Sequence, residues 1–93
     1  MEDREFHVGD VVVFTDSHCE DHNALVTVVW SPVRENGCCN LVYVSGEDSK
    51  TDPYGRQIER VTSIVHKDHN GAPGNCWRFP DEEKPVYHEP AER

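Results

Sequence analysis

The chain has little hydrophobic content and no excess of basic residues. Hydrophobic residues make up 35% of the 93 positions, and no apolar run reaches the roughly 18 residues that a membrane-spanning helix needs. No basic stretch followed by an apolar one resembles a signal peptide. We therefore expect a soluble, cytoplasmic protein without a membrane association. The net charge of -9 argues against nucleic acid as a partner, because a nucleic-acid-binding surface is expected to be basic.

The chain also lacks a C-x-x-C pair, although it has four cysteines: Cys19, Cys38, Cys39 and Cys76. Without a secretion signal, these predict reduced thiols rather than disulfides. Cys38 and Cys39 are adjacent and point to opposite faces of a strand, so they are poorly placed to pair with each other. We expect Cys39 to occupy a core position, where a free cysteine acts as a small hydrophobic residue.

The charge is unevenly distributed along the chain. Residues 1–48 carry a net charge of -8, residues 49–80 carry +2, and residues 81–93 carry -3. The middle segment is therefore the only one of positive sign in an acidic protein.

The apolar residues occur in five short runs that are rich in β-branched side chains, which predicts strands rather than helices. The predicted strands span residues 11–14, 24–30, 38–44, 57–65 and 76–79. Polar loops over 15–23 and 66–75 and turn residues elsewhere separate them, with a short helical turn considered at 49–54. We predict an all-β domain over residues 1–80, a small five-stranded antiparallel SH3-like barrel of the kind found in Tudor and KOW modules. Residues 81–93 are predicted to form an extended, acidic, proline-containing tail, whose Val86-Tyr87 could dock onto the domain.

Strict alternation along each strand predicts which side chains share a face. In the second strand it groups Leu25, Thr27 and Val29. In the fourth strand the corresponding group is Ile58, Arg60, Thr62 and Ile64.

The segment NLVYVSGEDSKTDPYGRQIERVTSIVHK and the following NCWRFPDE resemble a family of small uncharacterised bacteriophage proteins. The DPYGRQIE string is the most distinctive part, and the similarity covers about two-thirds of the chain when residues 24–30 are included. The resemblance implies a phage or phage-derived origin and the cytoplasm of the host cell as location. It implies no particular activity, cofactor or catalytic residue.

Histidines and cysteines in the two long loops form a candidate zinc site. Zinc takes thiolate and imidazole ligands in a tetrahedral shell. The first loop is crowded with potential ligands, namely Asp16, His18, Cys19, Glu20, Asp21 and His22, and the second is bracketed by His66, His69 and Cys76. The candidate ligands chosen from them are Cys19, His22, His66, His69 and Cys76. Solvated loop residues are the alternative interpretation, since the spacing is not that of a zinc finger.

A cysteine nucleophile is a further alternative, with Cys19 or Cys76 activated by His22 or His66. No local motif surrounds either thiol, and a domain of this size does not easily form a deep cleft. We therefore expect a protein that is not an enzyme.

Arginines and aromatic residues of the middle segment form the predicted binding surface, because these residue types are enriched in interfaces. The predicted residues are Tyr54, Arg56, Arg60, Lys67, Trp77 and Arg78. The alternative is that the cations pair with nearby acids of the same domain and have no binding function, and that Trp77 and Trp30 are core or rim residues. The sequence thus predicts a binding module for a host or viral protein. A zinc-stabilised module is one alternative, and an acidic inhibitor that mimics nucleic acid is another.

Overall fold

The computed structural model describes residues 4–84, which contain seven strands and one short 3-10 turn. The strands are β1 (Val11–Thr15), β2 (Asp21–Val29), β3 (Cys39–Val44), β4 (Thr51–Asp52), β5 (Gly55–Arg56), β6 (Ile58–His66) and β7 (Cys76–Arg78), and the 3-10 turn spans Lys67–His69. No helix in this range is long and apolar enough to cross a membrane. Most of the predicted tail, including Val86-Tyr87, lies outside the described residues.

Five strands close a barrel in the order β1-β2-β3-β6-β7, which confirms the predicted all-β barrel. The neighbouring strands are antiparallel except for β6 and β7, which pair in parallel through Val65 with Cys76 and His66 with Trp77. The prediction of a purely antiparallel barrel is wrong at this seam. The reason is that residues 67–75 carry the chain back before β7 begins, so β7 runs in the same direction as β6.

The connection between β3 and β6 contains a small hairpin instead of the helical turn considered for residues 49–54. Strands β4 and β5 pair through Thr51 with Arg56 and Asp52 with Gly55. The Asp52 carboxylate accepts a hydrogen bond from the backbone N–H of Tyr54 at 2.8 Å, and Gly55 adopts φ +122°. Local turn chemistry at Asp-Pro-Tyr-Gly therefore determines this structure.

A β-bulge interrupts β2 opposite Asn40 in the middle of β3. The register shifts between Val26 and Val28, which makes Thr27 the extra residue. Val29 consequently packs against the core, whereas Thr27 remains exposed. The predicted grouping of these two residues on one face is wrong, because an inserted residue reverses the alternation beyond it.

A second bulge interrupts β6 opposite the same residue. Cys39 pairs with Ile64 while Leu41 pairs with Val61, so residues 62 and 63 both lie opposite Asn40. Ser63 adopts the left-handed conformation with φ 58°. As a result Ile64 is buried in the core, whereas Ile58, Arg60 and Thr62 are exposed. The predicted common face of these four residues is thus divided by the bulge.

The Asn40 side chain stabilises this irregular region. Its Oδ1 accepts hydrogen bonds from the backbone N–H of Ser63 and from Nε1 of Trp30, each at 3.0 Å. The first of these bonds satisfies a backbone donor that the bulge removes from the regular ladder. Asn40 therefore holds both neighbouring strands at the point where their registers change.

Trp77 lies at the centre of the core and is completely buried. Its ring centroid is 4.6 Å from that of Phe6 and 5.0 Å from that of Phe79, and its Nε1 donates to the Gly37 carbonyl at 2.8 Å. A Cβ on Gly37 would lie 3.2 Å from the indole, so this close approach favours glycine. The buried core comprises Phe6, Val12, Phe14, Ala24, Val26, Val33, Cys39, Leu41, Ile64, Trp77 and Phe79.

Residues after β7 contact the barrel through Glu82. Its Oε1 lies 2.8 Å from Nε2 of the buried His66 and accepts the backbone N–H of Phe79 at 2.8 Å. Because Nδ1 of His66 accepts the N–H of Asp68 at 3.2 Å, the imidazole proton lies on Nε2 and is donated to Glu82. This buried histidine is therefore fully hydrogen-bonded within the protein.

The two long loops meet where Gly74 approaches the backbone of Asp16. A Cβ on Gly74 would lie 2.6 Å from the Asp16 carbonyl oxygen, whereas a Cβ on Gly71 would have no atom within 4 Å. We predict that Gly74→Ala lowers the free energy of unfolding by about 1–3 kcal/mol, because the backbone has to move to relieve the clash. Urea denaturation followed by tryptophan fluorescence measures this effect. Gly71→Ala is the control, and an equal loss in both variants would contradict the contact.

Candidate binding surface

The outer face of the barrel carries exposed aliphatic side chains on adjacent strands. Leu25 lies opposite Val42, and Val44 lies opposite Ile58. The exposed fractions are 46% for Leu25, 54% for Val44 and 59% for Ile58. Single exposed apolar residues are ordinary on protein surfaces, but neighbouring ones on one sheet face are typical of an interaction site.

The two bulges create a depression of about 200 Å³ within this face. It is lined by Thr27, Asn40, Leu41, Val42, Arg60, Val61 and Thr62. The Asn40 Oδ1 is occupied by its two hydrogen bonds, while its Nδ2 donors have no partner among residues 4–84. The depression thus combines an apolar wall with amide and guanidinium donors.

Arg60 is the cation of this face, and its side chain makes no ion pair or hydrogen bond with any residue of the described part of the chain. It lies opposite Val42 at the edge of the depression. None of the other outward-facing side chains of β3 and β6 is a carboxylate. The same is true of β2 from residue 23 onward. We name the set Leu25, Asn40, Val42, Val44, Ile58 and Arg60 the outer-face patch.

Of the six residues predicted as a binding surface, Arg60 belongs to the outer-face patch and Tyr54 lies beyond it. Tyr54 is 97% exposed at the tip of the β4–β5 hairpin. Arg56, in contrast, pairs with Asp48 at 2.7 Å. Lys67 pairs with Asp68 at 3.1 Å.

The remaining two predicted residues are engaged inside the protein. Trp77 is part of the core, so it does not belong to an exposed surface. Arg78 binds Asp21 at 3.0 Å, and the Thr15 hydroxyl accepts from it at 3.1 Å. This guanidinium lowers the pKa of Asp21 from its ordinary value, with the Arg78 hydrogen bond as the largest cause. Arg78 therefore stabilises the β1–β2 end of the barrel.

Sequence reasoning missed the aliphatic part of the outer-face patch. The apolar residues at 42 and 44 alternate with Leu41 and Tyr43, which pack in or against the core, and this is also the pattern of a strand buried on both faces. Asn40 showed no signal of its own, since its importance depends on the two bulges that lie opposite it.

The five candidate zinc ligands are not assembled into one site. His66 is hydrogen-bonded to Glu82 in the interior, and His69 is exposed on the 3-10 turn. The Cys76 thiol is buried and donates to the Pro73 carbonyl at 3.6 Å, whereas Cys19 is exposed. Loops 15–23 and 66–75 do approach each other at Asp16 and Asn75, as expected, but through their backbones.

Within residues 4–84, two other groups bring potential metal-binding atoms within 4.8 Å of one another. One contains His66, Asp68 and Glu82, and the other contains Asp16, Glu20 and His22. In the first group both imidazole nitrogens of His66 already have protein partners, which makes it a structural hydrogen-bond network.

Burial keeps two of the four thiols protonated. Desolvation raises the pKa of Cys39 to about 12, and it also raises the pKa of Cys76. The thiolate is the nucleophilic form of cysteine, so neither side chain is suited to nucleophilic attack at neutral pH.

No protein-family profile, curated protein or solved structure matches this chain. The function therefore has to be argued from the geometry of the barrel.

We predict that the four thiols react in an order set by their burial. Cys19 is exposed, Cys38 is half-buried, and Cys39 and Cys76 are buried. Titration with a disulfide reagent at pH 8 should modify Cys19 first and Cys38 more slowly. Cys39 and Cys76 should react at the rate of unfolding, because their protonated, inaccessible thiols have to be exposed first. Immediate reaction of all four thiols in the folded protein would contradict this arrangement.

Proposed function

We propose that this chain is a small non-enzymatic binding module that engages a host or viral protein through the outer-face patch. The partner presents apolar side chains to Leu25, Val44 and Ile58, and places a carboxylate or carbonyl oxygen at Arg60 and Asn40. The observation that carries this proposal is the exposed aliphatic sheet face, with an arginine beside its depression whose side chain is unpaired among residues 4–84.

The apolar component supplies the driving force for docking. Removing apolar surface from water contributes roughly 25 cal/mol per Å², and exposed aliphatic residues on adjacent strands offer such surface without a rearrangement of the barrel. Arginine beside an apolar patch is a frequent anchor in interfaces. Both components lie on hydrogen-bonded strands of the barrel, which hold them in fixed positions.

Charge complementarity favours an acidic partner at this face. The chain as a whole carries -9, yet Arg60 is the charged side chain of the patch and forms no ion pair with an acid of residues 4–84, since the neighbouring Glu59 pairs with Lys50. An approaching carboxylate therefore meets a local donor instead of the repulsion found elsewhere on the surface.

The resemblance of DPYGRQIE to small bacteriophage proteins supports a phage origin, with the cytoplasm of the bacterial host as the place of action. The raised pKa of the buried Cys76 thiol argues against that residue as the nucleophile considered from the sequence.

The test begins with capture of a partner from bacterial lysate by the tagged full chain, followed by identification and purification of that protein. Isothermal titration should then give a Kd that rises at least 10-fold in Ile58→Ser and in Arg60→Ala, because each removes one component of the surface. Val8→Ser is the matched control, since Val8 is 64% exposed and lies outside the patch.

Binding by both patch variants with the wild-type Kd would refute the proposed surface, as would an equal loss in Val8→Ser. Sedimentation of the chain alone tests a second copy as the occupant. If the wild-type chain is a dimer and the Ile58→Ser variant is a monomer, the patch binds a second copy of the chain and not a partner protein.

A further inference from the structure

A cleft at the end of the barrel, separate from the outer-face patch, combines imidazole and carboxylate groups. It lies between the β1–β2 loop and the β3–β6 connection and has a volume of about 200 Å³. Its lining residues are Asp16, His18, Glu20, His22, Tyr43, Gly46, Glu47 and Glu59. The protein-binding role proposed above uses none of these side chains.

Three donors in this cleft are close enough to share one ion. Nε2 of His22, a carboxylate oxygen of Asp16 and a carboxylate oxygen of Glu20 all lie within 4.8 Å of one another. The His22 Nε2 to Asp16 Oδ2 distance is 2.8 Å. Two ligands at about 2.1 Å from one metal ion and at right angles are about 3 Å apart, so this spacing fits adjacent ligands of a single cation.

The imidazole is held in place by aromatic packing rather than by the acids alone. The His22 ring centroid lies 4.5 Å from that of Tyr43 and 6.2 Å from that of Phe14. The His22 side chain is only 14% exposed. Its Nε2 thus faces the carboxylates while the ring plane is fixed by the barrel, as outer contacts fix the histidine ligands of metal sites.

The Asp16 carboxylate is oriented by the backbone of its own loop. Its Oδ1 accepts the N–H groups of His18 and Glu20 at 2.8 and 3.0 Å. Oδ2 is thereby directed to His22. Binding of an ion between them requires only that the shared His22–Asp16 hydrogen bond be replaced by two metal–ligand bonds.

The surrounding charges favour a cation. Glu47 and Glu59 also line the cleft, and Lys50 is the cation paired with them, at 3.7 and 2.9 Å. The carboxylates of Asp16 and Glu20 therefore add negative charge that Lys50 does not balance. A divalent ion would neutralise this excess.

We propose that Asp16, Glu20 and His22 form a binding site for a divalent first-row transition metal. One imidazole and two carboxylates suit Zn²⁺ and Mn²⁺. Ca²⁺ is disfavoured, because it takes six to eight oxygen ligands. The site replaces the cysteine-containing ligand set that the sequence predicts and retains only His22 from it.

The test is isothermal titration of the full chain with Zn²⁺ and with Mn²⁺ in a Cys19→Ser background, which removes the exposed thiol as a competing zinc ligand. The expected result is one ion per chain for both metals. Glu20→Gln should weaken binding at least 10-fold, and His22→Gln should do the same, because each removes a ligand. Glu20 makes no hydrogen bond through its side chain to residues 4–84, so Glu20→Gln is expected to keep the fold.

Glu35→Gln and His69→Gln are the matched controls, since both residues are exposed and lie in other loops. They make the same chemical changes and should bind like the background protein. If neither metal binds, the proposal is overturned. It is also overturned if Glu20→Gln and His22→Gln bind the metal as tightly as the background protein, or if the controls lose as much affinity as they do.

Discussion

The change of strand register at Asn40 is the constraint on which the outer surface of this barrel depends. A bulge on β2 and another on β6 lie opposite this one residue of β3. Its Oδ1 binds the backbone of Ser63 and the indole of Trp30. Bulges increase strand twist and bend, and paired bulges at one position bend the central three strands together. The depression of the outer-face patch is the result.

The same bulges decide which side chains enter the core. Beyond the β6 bulge Ile64 packs inside, and before it Val61 packs inside while Ile58 and Arg60 face solvent. Without the extra residue, the side chains at 58 and 60 would lie on the same face as Ile64. Core packing and the outer-face patch are therefore both set by the two bulges, which links the stability of the barrel to the function proposed for it.

The barrel keeps its two candidate sites apart. The outer-face patch lies on the convex side of β2, β3 and β6, whereas the Asp16–His22 pair lies at the end between two loops. His66 and Arg78, which the sequence also singled out, have internal partners in Glu82 and Asp21. Those contacts hold the strand ends and the segment after β7, so they stabilise the scaffold that presents both sites.

The five barrel strands could be predicted from the sequence, because short β-branched runs separated by polar loops fit few other folds in a chain of this length. The sequence was sufficient for Cys39 as a core residue and for Arg60 as an exposed one. It placed Trp77 in the binding surface with the core as the alternative, and the structure shows the alternative to be right, since an aromatic residue beside an arginine is equally consistent with both positions.

The parallel seam and the two bulges were beyond sequence reasoning for a physical reason. Alternation within a strand can be seen in the local sequence, but a bulge depends on how the partner strand pairs. Nothing in the sequence around Asn40 indicates which residues lie opposite it. The loop that contains Asp16, Glu20 and His22 was recognisable in the sequence as rich in potential metal ligands, but the sequence could not show which of these side chains lie together. The strand that begins at Asp21 turns His22 back toward Asp16.

The most direct test of this account is the identity of the residue opposite Leu41 on β6, measured from cross-strand backbone NOEs in an isotope-labelled sample. The bulge predicts contacts between Leu41 and Val61, together with contacts between Cys39 and Ile64. Contacts between Leu41 and Thr62, with Cys39 still opposite Ile64, would show a regular ladder. That ladder would turn Ile58 and Arg60 toward the interior and would contradict the outer-face patch.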